Sequence, residues 1–235
     1  MATRQDKSQL KMNLVDKSSP LAAKLQGGEF HIQLEADLPI SQEPFDSGLE
    51  TARSLMRTIE QDELATSLVL TDRTRSDECH DPIEVAEALQ ETAEIPLVLT
   101  TSGKANNQEN FRDLIARAES AGISGMLCVT GNKCVDHPDS DYPGKRHKRG
   151  RPSYLDSVEM LARIKNTAPR FLVGAAVNPF KYTAADEYLQ YYKALRKLNS
   201  GADYLVTHIG WDMRKLQSLQ WYLQMREIDV PVQIP

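Results

Sequence analysis

The chain has 235 residues, and its 28 basic and 33 acidic side chains leave a formal net charge of −5 at pH 7. Apolar residues make up 40% of the chain, which is enough for a sizeable core and excludes a disordered or collagen-like protein. Since no run of about 18 apolar residues occurs, we expect no membrane span, and the acidic balance argues against a dedicated nucleic-acid binder.

Residues 1–27 are predicted to form a polar tail that ends in a short helix. The tail lacks the apolar segment of a secretory signal, which favours a cytoplasmic protein. Ser19-Pro20 is typical of the start of a helix, and Gly27-Gly28 is typical of its end. We assign residues 28–235 to a single domain, because no linker or internal repeat interrupts them.

Short apolar runs rich in β-branched residues then alternate with longer segments of helical spacing. In one such segment, Phe111, Leu114, Ile115 and Ala118 repeat at intervals of three and four residues. This alternation predicts a parallel sheet, because parallel neighbouring strands need a crossover connection. The predicted strands are Phe30–Leu34, Ser67–Thr71, Pro96–Thr100, Gly125–Thr130, Phe171–Val177, Ala202–Thr207 and Val230–Ile234.

The pattern of strands and helices predicts an α/β fold, a (β/α)8 TIM-type barrel truncated after the seventh strand. The alternative is a doubly wound open sheet, but no Gly-x-Gly-x-x-Gly turn follows the first strand. A complete barrel typically takes about 250 residues. A helix, a strand and a second helix would still be needed after Pro235, so we expect the last elements of the barrel to be missing.

In a barrel, the chemistry takes place at the carboxyl ends of the strands. Glu35 follows the first predicted strand, and a partly desolvated carboxylate there would hold a proton and act as a general acid. The alternative is a rim carboxylate paired with a basic side chain. His208 closes the sixth strand, where it could contact a heterocyclic ligand or be a structural histidine. The other polar residues at strand ends are Thr71, Asp72, Thr100, Thr101, Thr130, Gly131, Asn132, Asn178 and Asp212.

Two further features have two interpretations each, and the His and Cys residues indicate no metal site. Trp211 could stack on a planar ring or serve only for packing. The basic run Lys145–Arg151 could gather a phosphate or polycarboxylate ligand or form a solvated loop, and without interleaved aromatic residues it gives little support to nucleic-acid binding. No His or Cys group has the spacing of a metal site, so we expect no metal. Cys79, Cys128 and Cys134 are interpreted as reduced thiols.

The stretch Val173–Lys215, VGAAVNPFKYTAADEYLQYYKALRKLNSGADYLVTHIGWDMRK, resembles the methylenetetrahydrofolate reductase family. In that family a fifth strand, a helix with an Arg-Lys pair, a Gly-Ala-Asp turn and a sixth strand ending in Thr-Gln-x-x-x-Asp occur in this order. The segments GEFHIQLEADLP and GMLCVTGNK are similar to its first and fourth strands. The resemblance implies a (β/α)8 barrel that holds FAD non-covalently. It also implies reduction of 5,10-methylenetetrahydrofolate to 5-methyltetrahydrofolate, with NADH or NADPH as electron donor.

The same resemblance implies roles for individual residues. Glu35 matches the acid that protonates the folate N10, and His208 matches a substrate-binding glutamine. Tyr154 matches a tyrosine beside the nucleotide portion of the flavin, and Lys197 matches a lysine that meets its phosphate. Asn132 would contact both folate and flavin. The implied flavin-binding residues are Thr71, Thr130, Gly131, Asn132, Tyr154, Ala176, Lys181 and Lys197.

Several positions depart from the pattern of the family. Asn132 stands in place of an aspartate, so a charge-assisted bond to the pterin is lost. Thr130 stands in place of an arginine, and Val98 and Lys181 stand in place of histidines. These departures favour an alternative function, a non-redox barrel that binds folate or a partner protein without flavin chemistry. Open strand edges invite a second copy of the chain or a partner subunit.

Overall fold

The computed structural model describes residues 20–27, 30–71, 79–103, 106–131, 155–169 and 171–235. Within these residues, seven parallel strands form one sheet in which each strand pairs with the next one along the chain. The predicted α/β barrel-type fold is therefore confirmed. The strands are β1 (Ile32–Asp37), β2 (Ala65–Thr71), β3 (Leu97–Ser102), β4 (Gly125–Val129), β5 (Leu172–Val177), β6 (Tyr204–Thr207) and β7 (Val232–Gln233).

The helices connect successive strands, apart from the first, which precedes the sheet. Most of them begin where a polar side chain accepts hydrogen bonds from the first free backbone N–H groups, as expected for helix N-caps. The capping residues are Asp81, Asn107, Asp156, Thr183 and Asp212. The helices are α1 (Pro20–Gly27), α2 (Phe45–Gln61), α3 (Pro82–Gln90), α4 (Gln108–Ser120), α5 (Ser157–Thr167), α6 (Ala184–Asn199) and α7 (Met213–Gln224).

The two outer strands differ most from their predicted bounds. β1 begins two residues later than predicted and continues to Asp37, because its backbone pairs with β2 as far as Thr71. Glu35 therefore lies inside the strand and not after it. β7 is shorter than predicted, since only Val232 and Gln233 pair with β6.

The two faces of the sheet have separate cores. Helices α2–α7 pack on the outer face and share with it the large apolar core. On the concave face, α1 inserts Leu21 and Leu25 against a smaller cluster that includes Val98 and Tyr204. The Tyr204 ring crosses directly over Gly174, where an added Cβ would lie 2.3 Å from the ring. Gly174 is therefore required for this packing.

The sheet is curled, and its two edges approach each other. Gln233 Nε2 lies 3.4 Å from His31 Nε2, so a side chain of β7 reaches the residue that precedes β1. Both outer strands keep one edge without a strand partner among the described residues. Within those residues, no helix is long and apolar enough to cross a membrane.

A buried ion pair joins the end of α5 to the starts of β5 and β6. Lys165 Nζ lies 2.7 Å from Asp203 Oδ2, and the two side chains are only 8% and 6% exposed. Lys165 also donates to the Phe171 carbonyl, and Asp203 accepts from the Val173 N–H. Burial raises the pKa of Asp203 in spite of the neighbouring ammonium. The pair thus links three elements on the side of the sheet opposite the strand carboxyl ends.

We expect Asp203→Asn to lower the free energy of unfolding by about 3–5 kcal/mol, because it leaves the Lys165 ammonium buried without a counter-charge. Urea unfolding followed by circular dichroism measures this change. The control is Asp46→Asn, since Asp46 is 86% exposed in its pair with Arg53 and its loss should cost less than about 1 kcal/mol. Equal costs for the two variants would contradict the prediction.

Candidate functional site

The strand carboxyl ends form the rim of the curled sheet, and Glu35 and Thr71 meet there. Thr71 Oγ1 donates a hydrogen bond to Glu35 Oε1 at 2.5 Å, across the β1–β2 pair. Both side chains lie on the concave face, because Leu34 packs in the outer core and Val69 belongs to the inner cluster. The Glu35 side chain is exposed, which differs from the partly desolvated carboxylate expected from the sequence.

A close contact between the ends of β3 and β4 forms the next part of the rim. Ser102 Oγ donates to the Thr130 carbonyl at 3.5 Å. Gly131 has a φ of 76°, and a Cβ added there would lie 1.7 Å from Ser102 Oγ. Both observations require glycine at this position. Thr100, two residues after the inner-face Val98, points its hydroxyl to the concave side of the same rim.

Lys197 does not project from the rim but lies between α6 and the sheet. Its Nζ donates to the Ala176 carbonyl at 2.5 Å, so these two predicted residues contact each other. Burial, together with Lys193, lowers the pKa of Lys197. Burial also raises the pKa of the neighbouring Cys128 thiol to about 12, which keeps this cysteine unreactive.

His208 and Lys181 are brought together at the ends of β6 and β5. The backbone N–H of His208 donates to the Val177 carbonyl at 2.9 Å, which extends the pairing of the two strands beyond β6. Partial burial of the imidazole, then Lys181 and Lys197, lower the pKa of His208. The imidazole is therefore neutral near pH 7, with one N–H donor and one acceptor nitrogen.

A groove beside His208 was not predicted from the sequence. It has a volume of about 620 Å³ and is formed by the loops that follow β5 and β6. The sequence indicates only Trp211 as a stacking residue. The signal that predicts the groove is the presence of aromatic residues after two successive strands, Phe180 and Tyr182 after β5 and Trp211 after β6. The lining residues are Phe180, Tyr182, Ile209, Gly210, Trp211, Asp212, Met213 and Arg214.

Some predicted site residues lie outside the described part of the chain. These are Asn132 and Tyr154, together with Asp72, Cys134 and the basic run Lys145–Arg151. The predicted grouping of Glu35, Asn132 and His208 in one pocket therefore stays a prediction. Among the residues that the structure describes, no three His, Cys, Asp or Glu side chains are grouped as metal ligands would be.

Comparison with known proteins gives one family and several solved structures of the same fold. A family model described as methylenetetrahydrofolate reductase matches residues 27–235. A solved structure of an uncharacterized Clostridium thermocellum protein that binds two copies of 5-methyl-5,6,7,8-tetrahydrofolic acid aligns with a TM-score of 0.68 and 16% identity, over 92% of this chain and 69% of that one.

Two further solved structures share the architecture. A phosphonopyruvate hydrolase aligns with a TM-score of 0.56 and 16% identity, over 95% of this chain and 71% of that one. An aldolase, QR15, aligns with a TM-score of 0.53 and 13% identity, over 85% and 78% of the two chains. At such identities the likeness establishes the fold alone. No curated protein matches the chain.

We expect Lys181→Gln to raise the pKa of His208, because it removes a positive charge that opposes protonation of the imidazole. Titration of the His208 ring protons by NMR measures the shift. Lys193→Gln is the matched control, since it removes the same charge from α6 at an exposed position that does not act on His208. An equal shift in both variants, or no shift in Lys181→Gln, would contradict the prediction.

Proposed function

This chain belongs to the methylenetetrahydrofolate reductase family, and on that premise we propose that it reduces 5,10-methylenetetrahydrofolate to 5-methyltetrahydrofolate through FAD, with NADH or NADPH as donor. The family match over residues 27–235 carries the proposal. Folate binding by the Clostridium thermocellum protein of the same fold supports a folate as the small-molecule ligand. The reaction would belong to cytoplasmic one-carbon metabolism.

The proposed acid is Glu35, which is exposed at the rim and accepts one hydrogen bond from a neighbouring hydroxyl. The Thr71 hydroxyl donates to Oε1 and so fixes the orientation of the carboxyl group. Oε2 is then left to carry the proton that opens the folate imidazolidine ring at N10. Because Glu35 lies on the concave face at the rim, a bound substrate can approach it without any change in the sheet.

The residues of the rim have properties that FAD requires. Thr71 and Thr100 present hydroxyl groups to the concave face, and Ala176 presents only a methyl group, which leaves room for a flat ring. The Lys181 ammonium has no carboxylate partner among the described residues and would hold a diphosphate oxygen. The chemistry that FAD supplies when bound is hydride transfer between the nicotinamide and the folate methylene carbon.

His208 can take over the hydrogen bonding of the glutamine that is usual in the family. A glutamine amide offers a donor and an acceptor, and a neutral imidazole offers one of each. The lowered pKa of His208 keeps the ring in this form near pH 7. We propose that His208 contacts the folate and the nicotinamide through these two nitrogens.

One observation favours a second candidate function, a barrel that binds folate without flavin. The Lys197 ammonium, which would meet the flavin phosphate, is bonded to the Ala176 carbonyl and lies behind the sheet. Asn132 also lacks the charge of the usual aspartate. Under this proposal the chain binds 5-methyltetrahydrofolate but neither takes up FAD nor oxidises NADH or NADPH.

Flavin content separates the two candidates. We expect the purified chain, or the chain incubated with FAD and desalted, to carry about one FAD per chain, measured by its visible absorption spectrum. Calorimetric titration with 5-methyltetrahydrofolate is run on the same preparation. Folate binding by a colourless protein that takes up no FAD would refute the reductase and support the second candidate.

Glu35→Gln tests the catalytic assignment. We expect it to slow folate reduction by about 10²–10⁴-fold, because the amide cannot deliver the proton, while reduction of the flavin by the nicotinamide persists. Stopped-flow absorbance measures the two half-reactions separately. The control is Glu50→Gln, an exposed position on α2 that should leave both rates unchanged. Loss of both half-reactions in Glu35→Gln would contradict the assignment.

A further inference from the structure

The outer side of α6 and α7, turned away from the sheet, has no part in the proposed reaction. We propose that this α6–α7 surface is the interface of a two-fold symmetric dimer of the chain. Buried residues at helical spacing turn one side of each helix to the sheet, so the exposed residues point to solvent. The large side chains of the surface, which are 46–87% exposed, are Tyr188, Leu189, Tyr192, Trp221 and Met225.

The exposed side of α7 has the composition of an interface. Charged residues make up 26% of the chain, but none occurs from Leu216 to Met225. The exposed positions of this segment are Gln217, Gln220, Trp221, Gln224 and Met225. The cores of protein interfaces are likewise poor in charge and rich in aromatic residues and methionine. A surface of this kind loses little by leaving water when a partner covers it.

The aromatic side chains between the two helices are already held in place. The Tyr222 ring stacks on Tyr191 with 4.7 Å between centroids, and it meets the edge of Tyr188 at 6.4 Å. The Arg226 guanidinium covers the same ring at 4.6 Å from its centroid. These contacts make the apolar surface continuous from α6 to α7. They also order it in advance, which lowers the entropic cost of association.

The charges along the exposed side of α6 identify the partner as a second copy. Asp186 lies in the first turn, Leu189 follows one turn later, and Lys193 follows after one more turn. All three are exposed, and no ion pair among the described residues involves Asp186 or Lys193. The Thr183 hydroxyl donates to Asp186 Oδ2 at 2.6 Å, which leaves Oδ1 for a partner.

An antiparallel crossing of two α6 helices at Leu189 satisfies these charges. It sets Asp186 of each copy opposite Lys193 of the other, so that two ion pairs flank the apolar contact. It also opposes the two helix dipoles. A parallel crossing would set like charges against each other. The antiparallel arrangement is the one that a two-fold axis across the helices produces, and such interfaces are self-complementary.

The same axis brings the uncharged side of α7 against its own copy. The ion pair of Glu187 with Lys215, which are 28 residues apart, sets the two parallel helices side by side. Gln217 is likewise 28 residues after Leu189 and therefore lies level with it. An axis through Leu189 thus crosses α7 near Gln217, so its exposed residues meet without repulsion between charges. This surface is distinct from the open strand edges of the sheet.

A charge exchange between two variants tests the pairing. We expect Asp186→Lys and Lys193→Asp each to raise the dissociation constant of the dimer about tenfold or more, because like charges then face each other twice. An equimolar mixture of the two should dimerise again, since every facing pair in the mixed dimer has opposite charges. Sedimentation equilibrium over a range of concentrations measures the association. Thermal unfolding followed by circular dichroism checks that both variants are folded.

A second pair of variants locates the apolar contact. Leu189→Asp should abolish the dimer, whereas Leu64→Asp should leave it intact, because Leu64 is similarly exposed but precedes β2. The proposal is overturned if the unaltered chain stays monomeric at every concentration or if the two leucine variants behave alike. It is also overturned if the mixture of charge variants stays monomeric. These measurements need neither folate nor FAD, so their outcome is independent of the proposed reductase activity.

Discussion

One constraint brings together the candidate residues that the structure describes at the rim: all strands of the sheet run in the same direction, so their carboxyl ends meet at a single edge. Glu35 and Thr71 are 36 residues apart in the sequence and form a hydrogen bond there. Lys181 and His208 come from successive loops and act on each other at the same edge. A one-residue slip of β1 would turn Glu35 to the helix-covered face, so the backbone register also decides the chemistry.

The two faces of the sheet explain why similar side chains have different functions. Lys197 and Cys128 lie between the sheet and the helices, where burial lowers the pKa of the ammonium and raises that of the thiol. Lys181 and His208 stand at the rim, where a ligand can reach them. The ammonium of Lys165 is also buried, but Asp203 neutralises it and the pair fastens α5 to the sheet. The buried ammonium groups of Lys165 and Lys197 therefore have structural roles, whereas Lys181 and His208 are candidate binding groups.

The order of the strands could be predicted from the sequence, because buried parallel strands appear as apolar runs separated by helical segments. The position of Glu35 within β1 could not, since a carboxylate after an apolar run resembles a strand end. The pairing of Ala36 with Leu70 and of Asp37 with Thr71 extends the strand past it. The site of Lys197 behind the sheet and the groove around Trp211 depend on how α6 and two loops pack. Such long-range packing has no periodic signal in the sequence.

The end of β6 is where the proposed reaction and the groove adjoin, and the strand ends there at an energetic cost. Thr207 is buried, and its hydroxyl has no hydrogen-bond partner among the described residues. An unsatisfied buried hydroxyl costs about 1–3 kcal/mol. The next residue is His208, and the lining of the groove begins one residue later at Ile209. The backbone N–H of His208 donates to the Val177 carbonyl at 2.9 Å, so this bond holds the segment after β6 against the end of β5. The position of His208 at the rim therefore depends on the pairing of β5 with β6.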